Sequence, residues 1–519
     1  MAHYRQVGEV PPKRHTQFRN AEGQLYYEEL MGEEGFSSDS SLLYHRGVPS
    51  AIVGSEVWDL PDQTRTPNHP LKPRHLKLHT LFPHAGADAV TERRLVLGNN
   101  DVRIGYVVTG TEPSPYYRNA IGDECVYVEA GSGRVETVFG VLSYRQGDYV
   151  VIPRSTTHRW VPGEPSRLYP IEANSHIAPP KRYLSRYGQL LEHAPYCERD
   201  LHGPTETLLV EGEDVEVLVK HRTSAGIVGT RMTYATHPFD VVGWDGCLYP
   251  YTFNIDDYMP ITGKIHQPPP VHQVFDGWNF VICNFLPRKV DYHPLAVPVP
   301  YYHSNVDSDE VMFYVGGDYE ARKGSGINIG SISLHPGGHA HGPQPAAIEA
   351  SLGAEYFDES AVMVDTFAPL DLGEAGLAAE DPAYAWTWAG RGPQGPAEGG
   401  DNRRCSPTPE ATAVGRPGQD RRMERHTFTA EIWASESVGS WAFVMLSSEA
   451  DEEVRLAAGP PTAFGSVRVE ATVGGTTWRT SVFPDKARGY VLPVKTAVRR
   501  AEGLDVGDDV EVSLRVVEG

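Results

Sequence analysis

Two histidines flank a group of acidic residues in the segment between residues 301 and 341. His303 is followed by Asp307, Asp309 and Glu310, and His341 comes later in the chain. Imidazole and carboxylate groups are the ligands that non-haem iron and catalytic zinc prefer in proteins. This segment therefore contains a candidate metal site, with the identity of the carboxylate still open.

The same layout occurs twice in the chain. Tyr116–Val128 and Tyr301–Val315 each begin with two tyrosines and a basic residue and continue with an Asp-Glu pair and an apolar run. A glycine follows each segment, seven residues after the Glu. Gly147–His158 and Gly330–His341 each have a proline six residues after the glycine and a histidine five residues after that. Two boxes with matching spacing predict a duplicated β-module.

Only the second copy carries all three ligand types. The first copy keeps Glu124 and His158 but has Arg118 where the second has His303. A guanidinium has no lone pair for a metal and repels one, so we predict that the first module is structural and that Glu124 is an ion-pair partner. The repeat also favours Glu310 as the metal-binding carboxylate, because Glu124 holds the same place before its glycine.

The paired boxes resemble the two motifs of the cupin superfamily. This resemblance implies a double-stranded β-helix, here two per chain, with metal ligands His303, Glu310 and His341. Asn305 stands where the motif usually has a second histidine, which leaves a three-ligand site. Two histidines and one carboxylate suit Fe(II) and O₂ chemistry, although zinc binds similar ligands. His339 is not at a ligand position, and we expect it beside the site or on the surface.

The elements around these motifs are short apolar or aromatic runs separated by Gly, Pro and Asp, which is typical of mainly β proteins. We predict two double-stranded β-helix modules plus a separate small C-terminal β-rich domain. The predicted segments are an irregular N-terminal segment packed on the first module (1–75), an N-terminal cupin module with a degenerate metal site (76–235), a catalytic C-terminal cupin module (236–388), a Gly/Pro-rich linker (389–422) and a small β-domain of unknown function (423–519).

Composition narrows the classes of partner. The net charge of -22 argues against nucleic acid and anionic membranes. The five cysteines are widely spaced without a CxxC pair, and the first residues contain no apolar signal region. We therefore expect a cytoplasmic protein whose partners are neither nucleic acid nor a membrane. A small aromatic substrate and O₂ are partners that only the family resemblance described next implies.

A narrower resemblance links the chain to the homogentisate 1,2-dioxygenase family. The stretches that carry it are His237–Gly246, Tyr249–Tyr251, Pro300–Asn305, Gly317–Ala321, Ser333–His335 and His341–Pro343. The resemblance implies Fe(2+)-dependent opening of homogentisate by O₂ to 4-maleylacetoacetate in tyrosine and phenylalanine catabolism. It also implies a homo-oligomer, a hexamer built from trimers. The alternatives are a dioxygenase for gentisate or another hydroquinone, and a non-oxygenase bicupin that acts as an isomerase or binds a ligand.

The family resemblance also implies roles for individual residues. Tyr319 and His341 match residues at the substrate, and His335 matches an active-site histidine near the iron. His266 matches the histidine that accepts a proton from the substrate, but its surroundings depart from the family pattern, and His272 remains a rival.

Overall fold

We describe the protein from a computed structural model. The structure describes residues 3–264, 266–267, 269–390, 426–434, 442–447, 449–451, 454, 467–485 and 489–516. The chain divides into two compact units, Met1–Glu398 and Gly399–Gly519. The predicted linker lies almost entirely outside the described residues. Among the residues described, none of the helices combines the length and apolar character that a membrane crossing requires.

The first unit is built mainly of strands. In chain order they are β1 (Arg5–Gly8), β2 (Tyr27–Gly32), β3 (Ser40–His45), β4 (Ile52–Trp58), β5 (Arg65–Thr66), β6 (Arg74–Lys77), β7 (Arg94–Gly98), β8 (Val102–Val108), β9 (Tyr116–Asn119), β10 (Glu124–Ala130), β11 (Gly133–Thr137), β12 (Gly140–Tyr144), β13 (Asp148–Ile152), β14 (His158–Pro162), β15 (Arg167–Ala173), β16 (Val215–Thr223), β17 (Gly226–Tyr234), β18 (Val241–Gly246), β19 (Tyr251–Asn254), β20 (Gln273–Gly277), β21 (Phe280–Phe285), β22 (Arg288–Lys289), β23 (Asp309–Gly317), β24 (Ser331–His335), β25 (Tyr356–Phe357), β26 (Glu359–Thr366) and β27 (Asp371–Gly373).

Helical segments in this unit are short. The α-helices are α1 (Leu78–Leu81), α2 (Pro345–Ser351) and α3 (Glu374–Ala378), and the 3-10 turns are Glu34–Phe36, Lys181–Tyr183, Glu198–Asp200, Ile255–Asp257, Pro269–His272, Glu320–Arg322 and Tyr384–Ala389. The predicted mainly β class is confirmed.

Two large sheets form the N-terminal module. One has the strand order β19-β13-β10-β15-β8-β7-β27-β5, and the other has the order β12-β11-β14-β9-β16-β17-β4. The C-terminal module contains the sheet β20-β21-β26-β23-β24-β6 and the small pair β22-β25. The two repeat boxes therefore occupy corresponding strands, β9, β10 and β13 in the first module and β23 and β24 in the second.

The eight-stranded sheet is buried on both faces. On β10, Cys125 and Tyr127 belong to the main hydrophobic core, whereas Val126 and Val128 pack in a second cluster. Alternate side chains of a strand point to opposite faces, so a strand covered on both sides needs a continuous apolar run. The main core also contains Val311 of β23 and many other side chains of the C-terminal sheet, so the two modules share one interior.

The N-terminal segment and the module boundary differ from the prediction. Residues 1–75 are not irregular: β1, β2 and β3 pair with β18 in a four-stranded sheet, and β4 and β5 join the large sheets. Strands β2 and β3 pair with each other, but β1, β3, β4 and β5 also pair with strands more than a hundred residues away, which local pattern cannot reveal. Strand β19 pairs with β13, so the N-terminal module extends past residue 235 to about Asn254.

The second unit is also rich in strands. Its elements are β28 (His426–Glu431), β29 (Trp433–Ala434), β30 (Ala442–Met445), β31 (Val467–Val473), β32 (Thr476–Asp485), β33 (Gly489–Pro493), the helix α4 (Thr496–Glu502) and β34 (Asp509–Val516). The strands form one sheet in the order β28-β34-β31-β32-β33-β30-β29. Val469, Ala471, Val512 and Leu514 alternate toward its hydrophobic core, which confirms a separate β-rich domain.

Candidate functional site

Strand β23 carries the carboxylate of the site between two neighbouring strands. Val311 and Phe313 point into the main core, so Glu310, Met312 and Tyr314 point to the opposite face. The antiparallel register places Glu310 opposite His335 of β24 and opposite Asp365 of β26. Directly opposed residues of antiparallel strands lie on the same face, so these three side chains form a row.

A short backbone bridge brings the two other ligands together. The N–H of His303 donates to the carbonyl of His341 at 2.8 Å, and the N–H of His341 donates to that of His303 at 2.9 Å. Oε2 of Glu310 lies 3.5 Å from Nε2 of His303 and 3.4 Å from Nε2 of His341. One ligand atom from each residue lies within 4.8 Å of the others, so the structure brings together all three predicted ligands.

The imidazole nitrogens are arranged to accept a metal. Nδ1 of His303 lies 3.2 Å from the carbonyl of Tyr301, and Nδ1 of His341 lies 3.4 Å from the carbonyl of His339. These carbonyls favour a proton on Nδ1 and leave the lone pair of Nε2 facing Glu310. Nε2 of His341 is buried without a hydrogen-bond partner among the described residues, so a metal ion fits this donor set.

The charges at the site depend on these contacts. Burial alone would raise the pKa of Glu310, but the close contacts with His303, His335 and His341 outweigh it and hold the pKa well below its ordinary value. Burial lowers the pKa of His335 to about 3, so this ring is neutral. Glu310 in turn raises the pKa of His303, and a divalent cation would bind the neutral form of that ring beside the ionised carboxylate.

The structure decides which acidic residue faces the site. Both oxygens of Asp309 accept backbone N–H groups at 2.8 Å, one from Gly337 and one from Leu370. Asp307 is exposed, and so is His339. Both oxygens of Asp309 are thus used in hydrogen bonds to the backbone of two other segments. Glu310 is the carboxylate beside the histidines, as the repeat indicated.

A cavity with a volume of about 130 Å³ opens in front of His303 and Glu310. Its apolar wall includes Met312, Phe285 and Met363. Arg288, Lys289 and Arg322 line it together with the carboxylates of Asp291, Glu310 and Glu359, and Arg288 is paired with Glu359. Lys289 and Arg322 are thus the cations that could meet a small molecule combining a ring with a negative charge.

Both candidate proton acceptors line this cavity. Nδ1 of His266 lies 2.9 Å from Oδ2 of Asp291, and the His266 side chain is 41% exposed. His272 is buried against the ring of Phe285, and burial lowers its pKa to about 3. The geometry brings both histidines to the cavity and does not separate them by position alone.

Tyr319, predicted to contact the substrate, lies at the cavity, whereas His335, predicted as an active-site histidine near the iron, lies behind Glu310. Tyr319 lines the cavity, and its hydroxyl accepts the N–H of Gly316 at 2.8 Å and donates to the carbonyl of Ser360 at 3.2 Å. His335 is fully buried behind Glu310: Nδ1 donates to Oε1 of Glu310, and Nε2 accepts the hydroxyl of Tyr384, each at 3.0 Å.

Two residues at the site, Arg322 and Asp365, were not predicted from the sequence. Arg322 lines the cavity, and its Nε donates to the hydroxyl of Tyr314 at 3.2 Å. Asp365 lies beside Glu310, and one of its oxygens is buried without a partner among the described residues. Arg322 follows Gly317–Ala321 directly, which is a usable signal. Asp365 sits in an ordinary strand pattern and has none.

The N-terminal module differs from the prediction by one residue. His158 pairs with Tyr117 across β14 and β9, as His341 bridges to His303, so Tyr117 occupies the position of His303. Arg118 points to the other face, where it donates to Thr157 and Tyr234. The spacing before Glu310 contains one more residue than the spacing before Glu124, and a shift of one residue reverses the face.

A second group of possible ligands is satisfied by its own contacts. Nδ1 of His176 lies 3.0 Å from Glu33 and 3.6 Å from Asp123. These carboxylates raise the pKa of His176 to about 10, so the ring is a cation. The oxygens of Asp123 also accept the N–H groups of Arg154 and Ile177 at 2.8 Å. An ion pair therefore accounts for this cluster.

Comparison with protein families agrees with this arrangement. The family model described as homogentisate 1,2-dioxygenase N-terminal matches residues 102–255, and the model described as homogentisate 1,2-dioxygenase C-terminal matches residues 268–391. Together the two models cover more than half of the chain. The chain belongs to the homogentisate 1,2-dioxygenase family. The prediction that it is a dioxygenase enzyme is thereby confirmed.

Individual members of the homogentisate 1,2-dioxygenase family show how far the similarity extends. A protein from Saccharolobus solfataricus named "Putative dioxygenase" is 40% identical over 391 residues, which are 75% of this chain and 99% of that protein. Homogentisate 1,2-dioxygenase of Emericella nidulans is 28% identical over 46% of this chain and 54% of its own length. The enzyme of that name from Nitrobacter hamburgensis is 29% identical over 48% and 56%. The match therefore spans about half of these two enzymes.

The remaining comparisons concern the fold and the second unit. A cupin 2 conserved barrel domain protein from Leptotrichia buccalis covers 60% of this chain and 99% of its own, with 11% identity and a TM-score of 0.26. At that score, the fold rests on the strand pairing described above. A model for a domain of unknown function, DUF1905, matches residues 428–514, in agreement with the predicted C-terminal domain.

Proposed function

We propose that this dioxygenase uses Fe(II) to open the ring of homogentisate with O₂, giving 4-maleylacetoacetate. The observation that carries the proposal is the group formed by His303, Glu310 and His341, the first two of which line a cavity that also has cationic side chains. Three protein ligands on one side leave positions for a substrate oxygen and for O₂. The family membership favours homogentisate over other aromatic compounds.

The chemistry of the donor set favours iron. Ferrous iron, when bound, would supply a site for the phenolic oxygen and the ability to activate O₂. The three ligands have neither thiolate nor a third imidazole, and buried Nε2 of His341 is free for coordination. Zinc would fit the same donors but would not support an O₂ reaction, because it has no redox chemistry.

His266 is the favoured acceptor of the proton from the ring hydroxyl. Oδ2 of Asp291 is 2.9 Å from Nδ1 of His266, so the carboxylate orients the ring and stabilises the imidazolium that forms. The rival His272 has a pKa of about 3 because it is buried, and so weak a base removes a phenolic proton poorly at neutral pH.

The cationic side of the cavity accounts for the acetate arm of homogentisate. The guanidinium of Arg322 is held by Tyr314 and by the carbonyl of Gly342, so it can meet a carboxylate without reorganising. Tyr319 stands beside it on the same wall. Apolar contacts from Met312 and Phe285 would hold the aromatic ring of the substrate in one orientation and exclude water from it.

Oxygen uptake by the full chain loaded anaerobically with Fe(II) tests this function. Homogentisate, gentisate and unsubstituted hydroquinone serve as parallel substrates, and Glu310→Ala provides the inactive control. We expect one O₂ consumed per homogentisate and little uptake with hydroquinone, which has no carboxylate for Arg322. Faster uptake with gentisate would reassign the substrate. No uptake with any of the three would leave a metal-binding protein that is not a ring-cleaving oxygenase of these compounds.

We further propose a cytoplasmic homo-oligomer, a hexamer assembled from trimers. Cys125, Cys197, Cys247 and Cys283 are free thiols in the structure, which suits a reducing compartment. Sedimentation velocity of the purified chain tests the assembly, and a single monomeric species would contradict it.

A further inference from the structure

The interior of the N-terminal module contains charged side chains where its duplicate has the metal site. Glu124 of β10 lies opposite Glu172 of β15, just as Glu310 lies opposite Asp365. These two carboxylates are in direct contact with cations. The cations are Arg93, Arg103 and Lys220, whose side chains are 8%, 6% and 8% exposed.

The contacts inside this cluster leave one positive charge uncompensated. Nη1 of Arg93 lies 2.8 Å from Glu124 and 3.5 Å from Glu172. Nε of Arg103 lies 3.3 Å from Glu172, which Lys220 also contacts. Burial, only partly offset by nearby Glu124, lowers the pKa of His158, so this ring adds no charge. Burial also lowers the pKa of Lys220, and Glu172 partly offsets this. With Lys220 protonated, three cations surround two carboxylates.

Two buried guanidinium groups also point donors at no acceptor. Nη2 of Arg93 and Nη2 of Arg103 are buried and have no hydrogen-bond partner among the described residues. Their other nitrogens are engaged, by Ala89 and Glu124 for Arg93, and by Glu172 and Asn174 for Arg103. A buried charged donor without an acceptor is costly, so an acceptor with negative charge would stabilise this arrangement.

A cavity joins these groups. It has a volume of about 30 Å³, and Arg93, Arg103 and Lys220 line it, together with Arg94, which is paired with Glu374. Glu172 is the carboxylate in its lining, and the remaining wall is largely apolar, with Trp58, Leu60 and Pro170 among its members. The cavity thus combines surplus positive charge, free N–H donors and little competing negative charge.

We propose that this cavity binds a small monovalent anion, a halide or the carboxylate group of a small organic acid. Either would bring the cluster to neutrality and accept hydrogen bonds from both Nη2 atoms. Water could accept the same hydrogen bonds but would leave the positive charge unbalanced. The site is separate from the metal-binding residues, so the inference does not depend on the proposed activity.

Thermal unfolding of the full chain in increasing sodium bromide, at constant ionic strength, provides the first test. Binding to the folded state raises the Tm, by about 1–3 °C for each tenfold increase above the Kd. Arg103→Gln removes the surplus charge and one free donor, so it should lose this response. Arg134→Gln, at a half-exposed arginine paired with Glu136, makes the same charge change elsewhere and should keep it.

The difference between these variants is the readout, because Arg322 in the other cavity also attracts anions. Equal bromide responses in the wild type, Arg103→Gln and Arg134→Gln would overturn the proposal. Crystals of the wild-type chain grown in bromide give a second measurement that needs no variant. We expect an anomalous peak within hydrogen-bond distance of both Nη2 atoms, and ordinary water there would also overturn it. Loss of that peak in excess acetate identifies a carboxylate as the preferred occupant, and its persistence identifies a halide.

Discussion

Replacement of His335 by leucine tests whether this buried histidine positions the metal-binding carboxylate. Nδ1 of His335 donates to Oε1 of Glu310, and its ring stacks on His341 with centroids 4.4 Å apart. Leucine fills a similar volume but offers no donor, so Oε1 of Glu310 would lose its hydrogen bond. Glu310 would then be free to rotate away from the two ligand histidines.

The expected cost falls on metal affinity. Removing a hydrogen-bond partner of a ligand typically weakens metal binding about 10- to 100-fold. That range corresponds to about 1.4–2.8 kcal/mol of binding free energy. The hydroxyl of Tyr384 would also lose its acceptor, which destabilises the fold by about 1–3 kcal/mol if the group stays buried and unpaired.

Competition for Fe(II) against a coloured chelator under anaerobic conditions measures the affinity, and urea unfolding measures the stability. His339→Leu is the matched control, since its side chain is exposed two residues from His341, and both values should stay unchanged. Oxygen uptake is then compared at saturating Fe(II). An unchanged iron Kd in His335→Leu would refute the positioning role. A weakened Kd with turnover still more than about 100-fold lower at saturation would instead mean that His335 takes part in the reaction, as the family resemblance implied.

Three further predictions concern the metal ligands, the buried His45 and the second unit. His303→Ala and Glu310→Ala should lose bound iron and turnover. His158→Ala should keep a normal iron content by metal analysis, because Tyr117 and Arg93 stand around it in place of metal ligands. Equal iron loss in all three variants would contradict this assignment. Burial opposes protonation of His45, but Asp240 and Glu29 raise its pKa to about 9. The folded pKa exceeds the ordinary histidine value of 6.5, so this contribution is complete below pH 6.5 and is lost as the pH rises to about 9, a change of about 3 kcal/mol in the free energy of unfolding. Urea unfolding at pH 6, 7.5 and 9 should show a steeper loss in the wild type than in His45→Gln, and parallel curves would exclude the linkage. A chain ending at residue 390 should retain activity, since every residue proposed for the site precedes it; a soluble but inactive product would show that the second unit is needed.

The metal ligands show how far local sequence can lead. The duplicated boxes keep the spacing from Glu to Gly and from Gly through Pro to His, and only one copy has all three ligand types. These two features made the three metal ligands His303, Glu310 and His341 recognisable. The short apolar runs likewise predicted strands, since a sheet covered on both faces leaves that pattern. The alignment of Arg118 with His303 failed because one extra residue before Glu310 changes the register.

Other features depended on residues that are distant in sequence. Asp365 reaches the site only through the pairing of β26 with β23, and β1–β3 form a sheet only because β18 returns to them. Arg93 and Lys220 reach Glu124 and Glu172 from separate segments in the same way. The sequence near each of these residues does not predict such contacts.

The amino-acid sequence by itself determined the strand-rich class, the duplication and the chemical types available for a metal site. Only the tertiary structure decided that Glu310 rather than Asp309 faces the histidines, that His335 stands behind that carboxylate, and that the other module has cations at the corresponding place. The reason is geometric: each step along a strand reverses the face of the side chain. Which faces meet is then set by cross-strand pairing between distant segments.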